Sequence, residues 1–209
     1  MDIPQILISL FVVLFAITVH EASHGYAAYK LGDPTAYSLG RITLNPIAHI
    51  DPIGTILLPV ILVIMNMPPF GWAKPVPVNP LNFKNYKRDN LIVSAAGPLS
   101  NLMVAFLAFI VIIPFKEYLF YSRISMLSGV ALILYYTILI NIILAVFNLI
   151  PIPPLDGSGI IEGVLSDEAT QKYEQIRPYG FFILIILLMT GLIGRIFQVI
   201  IGIINKLIF

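Results

Sequence analysis

Long apolar stretches separated by polar segments dominate the pattern of this chain. Four of these stretches carry few charged side chains and exceed the roughly 20 residues that a helix needs to cross a bilayer. We therefore predict four membrane-spanning helices. They cover residues 4–30, 89–114, 124–150 and 179–205.

The polar segments between the first two predicted helices suggest extended structure. A Gly-Asp-Pro turn at 32–34 ends the first helix. Residues 35–44 are rich in Thr, Tyr, Leu and Ile in rough alternation, which predicts a short strand. The proline-rich loop 67–88 follows later, and we expect a second short strand or hairpin arm in it at 72–78.

One apolar segment is too short to be a comfortable span. Residues 53–66 are interrupted by Pro59, and a helix rises only about 1.5 Å per residue. We expect this segment to be re-entrant or tilted.

The composition agrees with a bilayer as the solvent. Hydrophobic residues make up 58% of the 209 positions and charged residues 11%, against about 25% charged in soluble domains. The net charge of +1 suggests no nucleic-acid partner, and without cysteine there is no disulfide or thiolate ligand. We predict an all-α polytopic membrane protein of one domain over 1–209, with a core at 4–166 and an additional C-terminal span at 179–205.

Candidate chemistry lies near the end of the first predicted helix. His20 and His24 are four residues apart and share one helix face, and Glu21 follows the first histidine. This HExxH pattern binds zinc through its histidines and uses its glutamate as a base. The plainer interpretation is a set of interfacial polar side chains, but ionisable residues at membrane depth are costly and usually functional.

A hydrolytic zinc site needs a third protein ligand and one open position. The chain has three histidines, so His49 is one candidate. Asp156 is a better candidate, because it follows a predicted span in a proline-rich turn and precedes Gly157, which allows a tight backbone. The competing interpretation makes Asp156 a plain N-cap of a helix over 157–166.

Three motifs follow one another along the chain: HEASH at 20–24, GPLSN at 97–101 and NLIPIPPLDG at 148–157. In this order they resemble the HExxH, GPxxN and NxxPxPxLDG motifs of the site-2 protease family of intramembrane zinc metalloproteases, in its short prokaryotic-type branch without PDZ or CBS domains. The resemblance covers roughly residues 17–160.

The resemblance implies a role for each matched residue. It makes His20, His24 and Asp156 the ligands of one zinc ion per chain. It gives Asn148 a role in holding substrate, although a helix–helix hydrogen bond explains this residue nearly as well. Small and amide residues let membrane helices approach closely, so we interpret the remaining three as supporting residues. These are Gly97, Asn101 and Gly157.

The metal hypothesis also predicts a topology. All ligands must lie at one depth, so the end of 4–30 and the end of 124–150 lie on the same side, and 89–114 runs the opposite way. This topology favours entry and exit of segment 53–66 by the same membrane face. Basic residues concentrate on that side, which the positive-inside rule makes cytoplasmic. They are Lys30, Arg41, Lys74, Lys84, Lys87 and Arg88.

The sequence thus predicts a multi-pass protease of a prokaryotic cell (inner) membrane with its active site toward the cytoplasm. Its partners would be the lipid bilayer and a transmembrane protein or peptide substrate, with Glu21 as general base. The alternatives are a non-catalytic zinc-binding scaffold or carrier, which does not need Glu21, and a structural membrane protein without metal.

Overall fold

The computed structural model describes residues 3–65, 71–121 and 125–209, and helix is the only regular structure in them. Residues 66–70 and residue 124, which belong to the predicted loop and to the ends of two predicted segments, lie outside the described residues. The helices are α1 (Ile3–Lys30), α2 (Thr35–Ser38), α3 (Leu58–Ile64), α4 (Tyr86–Tyr121), α5 (Ser125–Asn148), α6 (Asp156–Val164), α7 (Asp167–Glu174), α8 (Gly180–Met189) and α9 (Leu192–Ile208).

Three helices are long and apolar enough to cross a membrane, and the bent pair at the C-terminus raises the number in the described residues to four at most. The three are α1, α4 and α5, which pack against one another and are called the bundle below. Their outer faces carry exposed apolar side chains such as Phe11, Phe106 and Leu107. An all-α polytopic membrane protein is therefore confirmed.

Local chemistry sets where the long central helix begins. Asp89 accepts the N–H of Asn85 at 3.0 Å, and Asn85 Oδ1 accepts the N–H of Arg88 at 3.2 Å. This reciprocal arrangement satisfies backbone donors that the first helical turn leaves without partners. It fixes the start of α4, which then runs past His20 and His24 of α1.

The predicted span 179–205 is helical but broken. α8 ends at Met189 and α9 begins at Leu192, and the two segments are bent by 63°. Gly191 takes a positive φ of 72° at the break, a conformation that glycine adopts without strain. The far end of α9 packs on α4 and α5 through Ile204 and Ile208.

The prediction of a strand at 35–44 is wrong. The segment begins with the single helical turn α2, because Asp33 accepts both the backbone N–H of Thr35 at 3.1 Å and its hydroxyl at 2.5 Å. Such an Asx-turn contact, from a carboxylate to the backbone two residues on, offers the backbone a turn in place of a ladder. The alternation of polar and apolar residues therefore reflects a turn followed by coil.

The prediction of a strand at 72–78 is also wrong. This segment is extended, but its N–H groups do not bond a neighbouring strand. Lys74 donates to His49 O at 3.0 Å, and Val76 donates to the carboxylate of Glu21. Pro75 and Pro77 have no N–H to donate. A regular ladder therefore cannot form along either edge.

The segment predicted to be re-entrant forms a π-helical turn (Pro52–Leu57) and then α3, which together are too short to span. After it, Trp72 N–H donates to Gly54 O at 3.2 Å, and Thr55 Oγ1 donates to Trp72 O at 2.9 Å. The chain thus returns to the point where it left, as a re-entrant segment must.

Candidate metal centre

His20 and His24 lie one turn apart on α1, on the side that faces α4. His20 is 5% exposed, and the Nε2 atoms of the two imidazoles are 3.0 Å apart. The four-residue spacing predicted this common face, and the structure places both rings on it.

Asp156 reaches the same point from a distant part of the chain. Its Oδ2 lies 3.0 Å from His20 Nε2 and its Oδ1 lies 3.3 Å from His24 Nε2. The three side chains form the one group in the described residues with the geometry to hold a metal ion, and their ligand atoms lie within 4.8 Å of one another.

The turn after α5 explains how Asp156 arrives there. α5 ends at Asn148, and the prolines of the following turn cannot continue a helix. Asp156 is the first residue of α6, and Leu155 takes the N-cap position without a side-chain cap. The carboxylate points to the imidazoles, so the interpretation of Asp156 as a plain N-cap does not describe it.

The other ring nitrogens show which atoms of the histidines are free to bind a metal ion. His24 Nδ1 lies 2.7 Å from the carbonyl oxygen of Val93, and His20 Nδ1 lies 2.6 Å from Asn101 Oδ1. Both partners are acceptors, so both Nδ1 atoms carry the proton and both Nε2 atoms present lone pairs.

These Nε2 atoms converge on the Asp156 carboxylate, an arrangement that a cation bound between them would stabilise. Two imidazole nitrogens and one carboxylate are a ligand set that zinc takes in hydrolytic sites, with a fourth position left for water. The contacts at Nδ1 are the outer partners that orient metal-binding histidines. The residues present therefore fit a zinc ion.

Gly97 supports this centre by its lack of a side chain. A Cβ at this position would lie 2.6 Å from His20 Nε2 and also collide with His24. Only glycine lets α4 approach the imidazoles this closely. The supporting role predicted for Gly97 thus corresponds to a specific contact between α4 and the two imidazoles.

Gly157 plays the same part in the turn that carries Asp156. A Cβ there would lie 2.5 Å from the carbonyl oxygen of Ile150 and also collide with that of Leu149. Because Gly157 has no Cβ, the first turn of α6 lies directly against the carbonyl oxygens of the turn that follows α5.

Glu21 and Asn148 line a cavity of about 880 Å³ together with His20, His24 and Asp156. Glu21 Oε2 accepts the N–H of Val76 at 2.8 Å, so the extended segment 72–78 holds the carboxylate. Asn148 Nδ2 donates to Leu144 O within its own helix at 2.9 Å, so the helix–helix hydrogen bond weighed for this residue is not the contact observed.

His49 takes no part in the centre. It is buried, and its Nε2 lies 3.0 Å from the carbonyl oxygen of Thr43 in the preceding loop. His49 is therefore excluded as the third ligand of this centre.

Sequence reasoning missed two groups that contact the centre or its supports. Val93 contributes a backbone carbonyl, for which a sequence carries no signal. Asn141 is fully buried and bonds Asn101 at 2.7 Å. An amide in the middle of an apolar helix was a usable signal for it, because polar groups at membrane depth need partners.

Comparison with known proteins agrees with this centre. The profile of peptidase family M50 matches residues 8–191. The chain is 41% identical over 189 residues to "Putative zinc metalloprotease YwhC" of Bacillus subtilis (strain 168), covering 90% of this chain and 82% of that protein.

A second relative is "Putative zinc metalloprotease Rip2" of Mycolicibacterium smegmatis (strain ATCC 700084 / mc(2)155). It is 30% identical over 186 residues, which are 87% of this chain and 66% of that protein. A shorter match, 34% identical over 82 residues and 38% of each chain, links the sequence to "Putative zinc metalloprotease MJ0611" of Methanocaldococcus jannaschii. No solved structure matches the chain significantly.

A profile match over most of the chain and a relative of this identity and coverage decide the family. This integral, multi-pass membrane protein belongs to peptidase family M50, the site-2 protease family of zinc metalloproteases.

Proposed function

We propose that the chain is an intramembrane zinc metalloprotease that hydrolyses peptide bonds within or near transmembrane segments of membrane proteins. His20, His24 and Asp156 hold one zinc ion, and Glu21 is the general base. The observation that carries this proposal is the convergence of two imidazole Nε2 atoms and one carboxylate at contacts of 3.0–3.3 Å.

When bound, zinc supplies a Lewis acid that lowers the pKa of a water molecule to about 7 and polarises the scissile carbonyl. Glu21 takes a proton from the attacking water and returns it to the leaving amine. Its contact with the Val76 N–H holds the carboxylate at the cavity wall beside His20 and His24. This placement favours an enzyme over a zinc carrier or scaffold, neither of which needs a base beside the metal.

The cavity supports a transmembrane substrate. Most of its lining is apolar, with Val13, Ile17 and Leu144 among the wall residues, which suits a segment arriving from lipid. A helical peptide bond is shielded, so the substrate must unwind before cleavage. Asn148, also in the wall, can donate or accept a hydrogen bond to the unwound backbone.

The basic residues near the centre support an active site that faces the cytoplasm. Lys30 ends α1 on the metal side, and Lys87 lies in the first turn of α4. By the positive-inside rule this is the cytoplasmic side of a prokaryotic cell membrane.

Metal content of detergent-purified protein tests the proposal. Wild type should hold about one zinc per chain, the number of ions that the three-ligand centre accommodates. His24→Ala and Asp156→Ala should lose it. His49→Ala is the matched control, because it removes a buried histidine outside the centre and should leave zinc unchanged. Equal zinc in all four proteins would contradict the proposal.

Catalysis needs a separate variant. Glu21→Gln keeps the size of the side chain and contributes no ligand atom to the three-residue group. It should retain zinc and lose cleavage of a transmembrane substrate. A variant that keeps both zinc and full activity would leave the non-catalytic scaffold as the better interpretation of the site.

A further inference from the structure

Two fully buried asparagines connect α4 to α5 in the interior of the bundle. Asn101 and Asn141 are each 0% exposed, and Asn101 Nδ2 donates to Asn141 Oδ1 at 2.7 Å. An amide in an apolar interior is costly unless its groups are bonded. The polar atoms of these two amides therefore need specific partners, and those partners fix the orientation of each amide.

A hydrogen bond within α5 determines the orientation of the Asn141 amide. Its Nδ2 donates to the carbonyl oxygen of Thr137 at 2.8 Å. A carbonyl only accepts, so the amide nitrogen must face it and the amide oxygen must face Asn101.

Asn101 is oriented in turn. Its Nδ2 donates to Asn141 Oδ1 and also to the carbonyl oxygen of Ala16 on α1, at 3.0 Å. If the oxygen and nitrogen of this amide exchanged places, the oxygen would face the two acceptors, Ala16 O and Asn141 Oδ1, and could bond neither. Its oxygen is therefore held toward His20 Nδ1, at 2.6 Å.

The orientation of Asn101 decides which nitrogen of His20 carries the proton. With an acceptor at Nδ1 the proton sits there, and Nε2 is left with a lone pair toward Asp156 and His24. If Asn101 presented its NH₂ group instead, Nδ1 would have to accept and the proton would move to Nε2, where it blocks metal binding.

We propose that Asn141 is a positioning residue for the metal centre: through Asn101 it holds His20 in the tautomer that can bind zinc. This inference rests on the proposed function, because it takes His20 as a ligand. Asn141 itself belongs neither to the three-residue ligand group nor to the residues that line the cavity.

The competing role is a simple hydrogen bond that holds two membrane helices together. Such a bond affects the stability of the fold and leaves the intrinsic affinity for zinc unchanged. Tyr135 provides the matched control for it, since its hydroxyl donates from α5 to Asn205 Oδ1 on α9 at 2.9 Å, away from the centre.

The test is a competition for zinc between a chelator of known affinity and the full-length, zinc-loaded protein in detergent, with melting temperatures measured in parallel. Asn141→Leu keeps the approximate size but removes the acceptor. It should weaken zinc binding by about tenfold, the lower end of the range for residues that orient metal ligands. Tyr135→Phe should lower the melting temperature and leave zinc affinity unchanged.

Asn141→Asp is the rescue variant. The acid form of the introduced side chain donates to Thr137 O and accepts from Asn101, and its ionised form still accepts from Asn101. Zinc affinity should therefore stay close to that of wild type. If Asn141→Leu does not fold, the comparison passes to Asn141→Asp and Asn101→Leu, of which the second should lose 10- to 100-fold.

The proposal is overturned if Asn141→Leu binds zinc as wild type does, or if Tyr135→Phe loses zinc equally. It is also overturned if a folded Asn141→Asp binds zinc as poorly as Asn101→Leu. These outcomes are distinct from failure of the proposed function, in which His24→Ala and Asp156→Ala retain the zinc of the wild type.

Discussion

The bundle and the C-terminal helix pair use the same kinds of residue in different ways. In the bundle, Gly97 leaves no room for even a methyl group because the imidazoles of α1 press against it. In the pair formed by α8 and α9, a Cβ at Gly194 or Gly202 would meet nothing within 4 Å. Buried polar groups are likewise bonded across helices in the bundle, whereas Arg195 of α9 is exposed. Close packing is therefore required at Gly97, beside the imidazoles, and not at Gly194 or Gly202 of α9.

The largest effect is expected at Glu21, the proposed general base on α1. Glu21→Gln should lower the rate of substrate cleavage by about 10²- to 10⁴-fold, the usual contribution of a general base. Single-turnover cleavage of a transmembrane substrate in detergent measures it. Asp167→Asn, which alters an exposed acid on α7, should leave the rate unchanged.

The contrast between the glycines predicts the next largest effect. Gly97→Ala should weaken zinc binding by at least about tenfold, because the added methyl group displaces the imidazoles that the outer partners otherwise hold in place. Gly194→Ala adds the same group in open space and should bind zinc like wild type. Chelator competition measures both, and equal affinities would contradict the packing difference drawn between the two regions.

An ion pair that ties the C-terminal region to α6 gives an intermediate effect. Arg177 bonds Glu162 at 2.6 Å, and the Glu162 side chain is only 3% exposed. Arg177→Met leaves a buried carboxylate without its cation and should cost about 1–3 kcal/mol in the free energy of unfolding.

The control for that substitution is an exposed pair. Lys172→Met breaks the contact with Glu168 at 2.8 Å on α7, where both side chains are largely exposed. Such pairs contribute about 1 kcal/mol at most. Denaturant titration in mild detergent compares the two, and equal costs would mean that the burial of Glu162 is unimportant.

The smallest effect concerns the connection between α1 and α4. Burial opposes ionisation of Asp33, but hydrogen bonds from Thr35, Asn79 and Asn82 outweigh it, so the pKa of this carboxyl group is lowered. The folded pKa is then below the unfolded value of about 3.9. The stabilisation is fully present above that value and is lost as the pH falls through the folded pKa.

Melting temperatures from pH 6 to pH 3 measure this dependence. Asp33→Asn should melt lower at pH 6 and show a flatter decline toward pH 3, because its side chain does not ionise. A slope identical to that of wild type would mean that other carboxyl groups account for the acid sensitivity.

Several features followed from short-range patterns in the sequence. The apolar runs predicted α1, α4 and α5 as spans because a backbone in lipid must satisfy its own hydrogen bonds, which favours helices. Spacing alone placed His20 and His24 on one face. The shortness of 53–66 predicted a segment that returns to its starting side, and Trp72 lies against Gly54 as that requires.

Two strand predictions failed because side-chain hydrogen bonds, one between distant residues and one between near neighbours, competed with the local sequence pattern. The strand predicted at 72–78 is extended, yet Val76 donates to Glu21, 55 positions earlier. The residues at 35–44 alternate as a strand would, but the carboxylate of Asp33 accepts hydrogen bonds from Thr35 and favours a turn there.

The sequence by itself determined the membrane class, the helical spans and the set of residues able to bind a metal ion, because these depend on composition and on spacing within one helix. The tertiary structure alone decided that Asp156 reaches His20 and His24 while His49 does not. It also decided the orientation of Asn101 and Asn141, and therefore the free nitrogen of His20. The orientation of the two amides depends on contacts 40 to 85 positions apart in the chain, and Asp156 lies still farther along the chain from the histidines that it meets. Only the packing of α1, α5 and α6 against α4 brings such residues together.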